Sequence, residues 1–227
     1  MRALAMLLCL CGTPMIGCAP PDVPGVQAGV DPPANPPAVT RTPVHAIDDV
    51  ATAAANPDDP AAFVPAGATL VDSVVGDLTG RGRSDVLIVF APASSEQDRL
   101  GEGPGRTVVL LTRDQGGGLQ RAAENARLVP CARCGGVAGD PYGDARIDAG
   151  TVTVAVSGGS RERWFSDYVF RYAAEHGDWL LDHVTRGVTD TQTGIRKQAE
   201  LTAADFGEVT FSQFDPGNLQ AAAPTLD

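Results

Sequence analysis

From Ala68 onward the chain is a series of strand-length apolar runs broken by glycine turns, a rhythm that restricts it to an antiparallel β architecture. Residues 86–90 (VLIVF) and 107–111 (TVVLL) suit inner strands packed on both faces. Further on, Val152, Val154 and Val156 alternate with Thr151, Thr153, Ala155 and Ser157, while Trp164, Tyr168, Phe170 and Tyr172 share one face of segment 161–172. Strands of this second kind turn one side to a core and the other to water. Turns at Gly116-Gly117-Gly118, Asp148-Ala149-Gly150, Gly158-Gly159-Ser160 and His176-Gly177-Asp178 separate the runs at spacings that suit a meander. The expected fold class is all-β.

The strands group into two four-strand units. The first comprises strands near 69–76, 85–91, 106–113 and 118–125, and the second strands near 144–149, 151–157, 161–173 and 178–187, with 208–212 (EVTFS) as a closing strand. Sheets of that size resemble neighbouring propeller blades, although two cannot close a propeller, so an incomplete propeller and a sandwich both remain open.

Ahead of this body, eleven of the 18 prolines lie between Pro20 and Pro65, and a stretch so poor in aromatic residues cannot bury a core. An extended spacer, rising about 3.1 Å per residue where it is polyproline II, and a tail with no length requirement are both compatible with it. Thr42 and Pro43 can open a short helix over 43–55. The first residues read as a leader: Arg2 is followed by apolar residues 3–10, and Met15-Ile16-Gly17-Cys18 ends the segment. That ending resembles the lipobox of bacterial lipoproteins, which implies cleavage before Cys18 and acylation of its thiol; an ordinary secretory signal is the alternative. Several acyl chains give stable membrane attachment where one is marginal. After the leader no apolar run approaches the roughly 20 residues of a spanning helix. In a Gram-negative host, Ala19 after the cysteine resembles the sorting pattern for the outer membrane. The expected organisation is a signal peptide over 1–17, a Pro/Ala-rich tether over 18–66, an all-β domain over 67–215 and a flexible tail over 216–227.

Charge removes one class of partner. Against 28 Asp and Glu the chain has 17 Lys and Arg, a formal net charge of −11, and a phosphate backbone demands a basic surface. Nucleic acid is not expected as a partner.

The segment 75–92, VGDLTGRGRSDVLIVFAP, resembles one FG-GAP repeat, the integrin-type or VCBS-type propeller blade, in which an Asp-x-Asn-Gly-Asp-Gly-x-x-Asp loop precedes a strand. The resemblance covers about a fifth of the folded region. It implies a loop that wraps Ca²⁺, because close-set carboxylates supply hard oxygen ligands and glycines permit the sharp turn. Asp77 and Asp85 stand at the outer ligand positions and Gly80 and Gly82 are kept, but Thr79 replaces the Asn and Arg81 the central Asp. A guanidinium there substitutes positive charge for a ligand. The expectation is accordingly a loop held by Asp77 hydrogen bonds and an Arg81 ion pair, with no cofactor, and Ca²⁺ on Asp77 and Asp85 is the alternative.

A second resemblance runs through Cys131-Ala-Arg-Cys134-Gly-Gly136, Gly139-Asp-Pro-Tyr142, Gly158-Gly-Ser-Arg-Glu-Arg-Trp164 and Asp178-Trp-Leu-Leu181. These match a group of uncharacterised secreted bacterial proteins and lipoproteins with an FG-GAP-like start, and the match implies location and fold without an activity. With Cys9 and Cys11 removed in the leader and Cys18 acylated, Cys131 and Cys134 have only each other, and an oxidising compartment favours a disulfide. A redox Cys-x-x-Cys would open a helix, which the residues after Cys134 do not favour, and zinc would need two further ligands that His45, His176 and His183 do not supply in paired spacing.

The remaining polar residues carry no catalytic pattern. His183 alternates with Trp179 and Leu181 and reads as a core histidine, and no nucleophile elbow surrounds Ser157 or Ser160. Arg161, Arg163 and Arg171 lie opposite the aromatic face, where Asp167 and acidic neighbours can pair with them. The sequence thus points to a lipid-anchored binding or assembly module of the cell envelope, not an enzyme, whose partner is an envelope protein or glycan. Two alternatives differ in class: an envelope hydrolase, marked by a deep pocket near Asp140, Tyr142, Arg161 and His183, and a purely structural lipoprotein.

Overall fold

A computed structural model describes residues 58–93, 99–219 and 224–226, all within one compact unit, Ala51–Asp227. Cys18, the tether up to residue 57 and the helix expected over 43–55 lie outside the described residues. Among the described residues no helix is long and apolar enough to cross a membrane.

The fold is an all-β meander of two antiparallel sheets. Strands β1 (Thr69–Gly76), β2 (Asp85–Ala91), β3 (Arg106–Arg113) and β4 (Leu119–Val129) form the first, in that order. The second is β5 (Tyr142–Asp148), β6 (Thr151–Gly159), β7 (Glu162–Ala173), β8 (Asp178–Asp190) and β9 (Arg196–Thr202), again in chain order. The second sheet therefore has five strands where the sequence suggested four. The extra strand is Arg196–Thr202, which pairs with β8 from His183 to Thr189. Its polar, largely exposed composition gives it little apolar alternation to read.

The expected closing strand over 208–212 is not one. Its contact with β8 is a single bridge, Leu180 to Thr210, held by Leu181 N–H to Val209 O at 2.8 Å and Phe211 N–H to Trp179 O at 2.7 Å. The chain then turns inward, because Phe211 and Phe214 fill the space between the sheets: their rings meet Phe170 edge-on at 5.0 and 5.5 Å.

One core is shared by the facing sides of the two sheets. Leu87, Val89, Val108 and Leu110 of the first meet Val152, Val154, Phe170 and Leu181 of the second. Each such fully buried side chain contributes about 1.5–3 kcal/mol of transfer free energy. The first sheet also buries its far side. Val86, Ile88, Phe90, Val109 and Leu111 form a second cluster, covered by Phe63, Val64 and Ala68. That cover is strapped down by Arg113 on Asp58 at 2.6 Å and by Arg121 donating to Phe63 O at 3.0 Å. Residues 58–66, assigned from sequence to the tether, thus include part of the packed body. At the other end Leu219 packs on the shared core, inside the segment 216–227 read as a tail.

The sheets are locked together at the end of β1. A Cβ on Gly76 would lie 2.6 Å from the Ile147 side chain, so only glycine lets β1 and β5 approach this closely. Just beyond, Gly150 N–H donates to Asp77 O at 2.8 Å, and Trp179 Nε1–H donates to Leu78 O at 2.7 Å. The loop that begins at Asp77 is therefore part of the joint between the sheets.

Candidate functional site

Three turns converge at this end: residues 77–84 between β1 and β2, the β3–β4 hairpin and the β7–β8 hairpin. Between them lies a cavity of about 390 Å³, with Arg81, Arg83 and Arg113 at its walls and Tyr172 and Trp179 beneath.

Asp77 builds the first wall. Its carboxylate accepts N–H bonds from Thr79 at 3.3 Å, Arg81 at 3.0 Å and Gly82 at 2.6 Å. Gly80 and Gly82 adopt φ of 71° and 75°, the left-handed turn that brings these N–H groups round to one carboxylate. Burial pushes the Asp77 carboxyl up, but the four backbone N–H groups of Gly82, Arg81, Thr79 and Gly80 together outweigh it, and its pKa lies below the ordinary aspartate value. Asp85 is buried, with Oδ2 accepting from Leu78 N–H at 3.2 Å and Oδ1 from Arg113 N–H at 2.9 Å.

Asp77 and Asp85 occupy the outer ligand positions of the Ca²⁺ loop implied by the resemblance. Both carboxylates are engaged by backbone donors, and a guanidinium stands between them in sequence. Among the described residues no cluster of three or more His, Cys, Asp or Glu side chains gathers to hold a metal. The Arg81 side chain also differs from expectation. Among the described residues it has no ion-pair partner, and it sits over the Tyr172 ring, its guanidinium carbon 5.5 Å from the centroid.

The other arginines of the cavity are committed. Arg83 donates through one terminal nitrogen to Arg113 O at 2.8 Å and Asp114 O at 3.1 Å. Arg113 donates to Ser84 O at 2.8 Å and Gly117 O at 2.6 Å besides pairing with Asp58.

A shallower groove crosses the outer side of the second sheet, lined by Arg146, Thr151, Thr153, Val169, Arg171 and His183. Here the alternation read from sequence breaks. The β7–β8 pairing slips between Val169 and Phe170, leaving Asp182 as an extra residue in β8. Trp179 and Leu181 point inward before the slip and Val184 after it, so His183 is not in the core. Its Nδ1 lies 2.7 Å from Asp182 Oδ2, and Arg171 Nε–H donates to the other oxygen at 3.2 Å. The His183 bond first, and the Arg171 bond with it, outweigh burial and hold the Asp182 carboxyl below its ordinary value.

The residues expected to mark a hydrolase pocket are distributed over separate pairs. Asp140 forms a two-pronged bond with the buried Arg106, and the Tyr142 hydroxyl donates to Asp72 at 2.6 Å. Arg161 pairs with Asp190 at 2.7 Å, and His183 with Asp182. Of the other arginines, Arg163 donates to Gly159 O at 3.1 Å and Arg171 pairs with Asp182, so the acidic partners come from β8 and not from Asp167.

Cys131 and Cys134 form a disulfide in the crossover from the first sheet to the second. Cys134 N–H donates to Cys131 O at 3.0 Å, and the flanking backbone is pinned by Gly101 N–H to Arg133 O at 2.9 Å and Gly159 N–H to Gly135 O at 2.9 Å. The bridge shapes a turn against two neighbouring loops.

Two polar residues were invisible in sequence. Asn125, buried in β4, donates to Phe211 O at 2.6 Å and Phe214 O at 2.8 Å while accepting from Arg127 N–H and Leu128 N–H. Arg106 is buried at the start of β3. A lone Asn or Arg in a strand has no periodicity of its own to signal such a role. Comparison of the chain with protein-family models, with curated proteins and with solved structures finds no match.

Proposed function

We propose that this chain is a recognition module of the bacterial cell envelope, anchored through lipid on Cys18, that works by binding and without a resident cofactor. In a Gram-negative host its place is the outer membrane. The observation that carries the reading is the polar cavity at the joint of the two sheets, where Arg81 lies over Tyr172 with no hydrogen-bond or ion-pair partner for its guanidinium among the described residues. Likeness of the 75–92 segment to an FG-GAP repeat supports the same reading. The experiment is photo-cross-linking in intact cells through a probe at Gln115, an exposed position of the cavity wall. Reproducible enrichment of one envelope component over a Cys18→Ala control, lost in Arg81→Gln, is the expected result. No enrichment would favour a purely structural lipoprotein.

Titration of metal-stripped protein with Ca²⁺ is expected to give no micromolar binding, because Asp77 and Asp85 already accept backbone N–H bonds. Micromolar binding would restore the Ca²⁺ loop.

A second reading, an envelope hydrolase, is favoured by the Asp182–His183 pair in the outer groove. With Asp182 accepting from Nδ1, the other imidazole nitrogen is left as a base. Release of soluble product from envelope material that disappears in His183→Gln would establish it; unchanged release would remove it.

A further inference from the structure

We propose that the cavity at the joint of the two sheets binds a small polyhydroxylated carboxylate, a sugar acid, with Arg81 as the anchor of the carboxylate. The proposal rests on the recognition reading above and names the ligand class of that same site.

Charge is the first argument. The chain as a whole is acidic, with a formal net charge of −11, yet the cavity wall is locally basic. The carboxylates of the cavity and its wall, Asp77, Asp85 and Asp114, are each held by backbone N–H groups. Asp85 is 1% exposed and has both oxygens on backbone N–H groups, and Asp114 turns Oδ1 to Gly118 N–H at 3.0 Å within its own hairpin. Of the three arginines, Arg113 is paired with Asp58 and Arg83 is bonded to two carbonyls. Among the described residues no hydrogen bond or ion pair engages the Arg81 guanidinium, and its position over Tyr172 limits the orientations that a ligand would have to freeze.

Shape and neutral chemistry supply the second argument. At about 390 Å³ the cavity lies near the lower end of small-ligand sites, roughly 300–1,000 Å³. It has room for a small molecule bound in one place. Thr79, Thr112, Gln115 and Gln120 add hydroxyl and amide groups that both donate and accept, more than a bare carboxylate can use. A ligand with several hydroxyls answers them. An extended peptide would instead fill apolar side-chain pockets, whereas the side chains lining this cavity are mostly polar.

The test titrates the full chain, purified in detergent, with methyl β-glucuronide, the neutral methyl β-glucoside and acetate. The glucuronide should bind at least about tenfold more tightly than either of the others, since a charge-assisted bond and the hydroxyl contacts are both needed. Arg81→Gln should bring glucuronide to within about twofold of glucoside. Arg146→Gln, in the outer groove, should leave the tenfold difference intact. An unchanged thermal midpoint in Arg81→Gln, a substitution at an exposed position, shows that the variant is folded. Equal binding of glucoside, equal binding of acetate, glucuronide binding indifferent to Arg81→Gln, or no glucuronide binding would each overturn the sugar-acid assignment. The Gln115 cross-link separates the two levels: a captured partner without glucuronide binding refutes the ligand class alone, and absence of both refutes the recognition reading as well.

Discussion

The β1–β4 sheet and the β5–β9 sheet bury their residues differently. In the first, β2 and β3 are buried on both sides, by the other sheet on one and by Phe63, Val64 and Ala68 on the other. In the second, the inward side is aromatic and aliphatic while the outward side carries Thr151, Thr153, Arg171 and His183. A sheet covered twice confines the polar residues of its central strands to their ends, here Asp85 in β2 and Arg106 and Thr107 in β3, so its middle is a poor place for a site. The features with chemical potential therefore lie on the outer side of the second sheet and on the turns where both sheets end.

The sharpest way to break this contrast is to truncate equivalent outer positions. Ile88→Ala, on the side of the first sheet away from the second, should cost about 2–5 kcal/mol, whereas Thr153→Ala on the outer side of the second should stay within roughly 0.5 kcal/mol. Urea midpoints for the pair measure the difference; similar losses would mean that both outer sides are covered.

Asn125→Ala comes next. It leaves two carbonyls and two N–H groups of a buried junction without partners, and a loss of about 1–3 kcal/mol or more is expected by chemical denaturation. A loss below that would show water replacing the side chain. The paired substitution Cys131→Ser with Cys134→Ser should cost at most about 2 kcal/mol, because so short a loop takes little entropy from the unfolded chain. A larger fall would mean that the bridge holds the two sheets in place and does more than shape the turn.

The smallest effect is that of acid on the end of the second sheet. The Arg161 bond, followed by the Gln192 and Thr193 N–H groups, holds the Asp190 carboxyl down to about 2. Since the unfolded value is about 3.9, the contribution of Asp190 is present above that pH and is lost as pH falls from about 4 toward 2. Arg161→Gln should raise the folded value and diminish this acid-sensitive contribution. Urea midpoints between pH 2 and pH 5 measure it, and an unchanged profile would show that the Gln192 and Thr193 N–H groups suffice.

The strands were legible where burial was two-sided or strictly alternating: the ends of β1, β2 and β3 follow from runs such as 86–90 and from the glycines beside them. β9 was missed because its polar residues give no apolar period, and 208–212 was misread because the same alternation serves a plug that sends Phe211 and Phe214 inward. At the site, Asp77, Asp85, Gly80 and Gly82 could be singled out and the Asp77 hydrogen bonds expected, but not that Asp85 would be buried on the Leu78 and Arg113 N–H groups.

By itself the sequence determined an all-β meander, because alternation and turn chemistry are local properties that a short window of residues already expresses. Only the tertiary structure decided that Asp182 bulges out and takes His183 to the outer side, that Arg81 lies on Tyr172 some ninety positions away in sequence, and that Asn125 grips the C-terminal segment. These outcomes depend on which distant strands share a register and which turns meet at one end of the sheets. Long-range packing sets both, and no local pattern of residues records it.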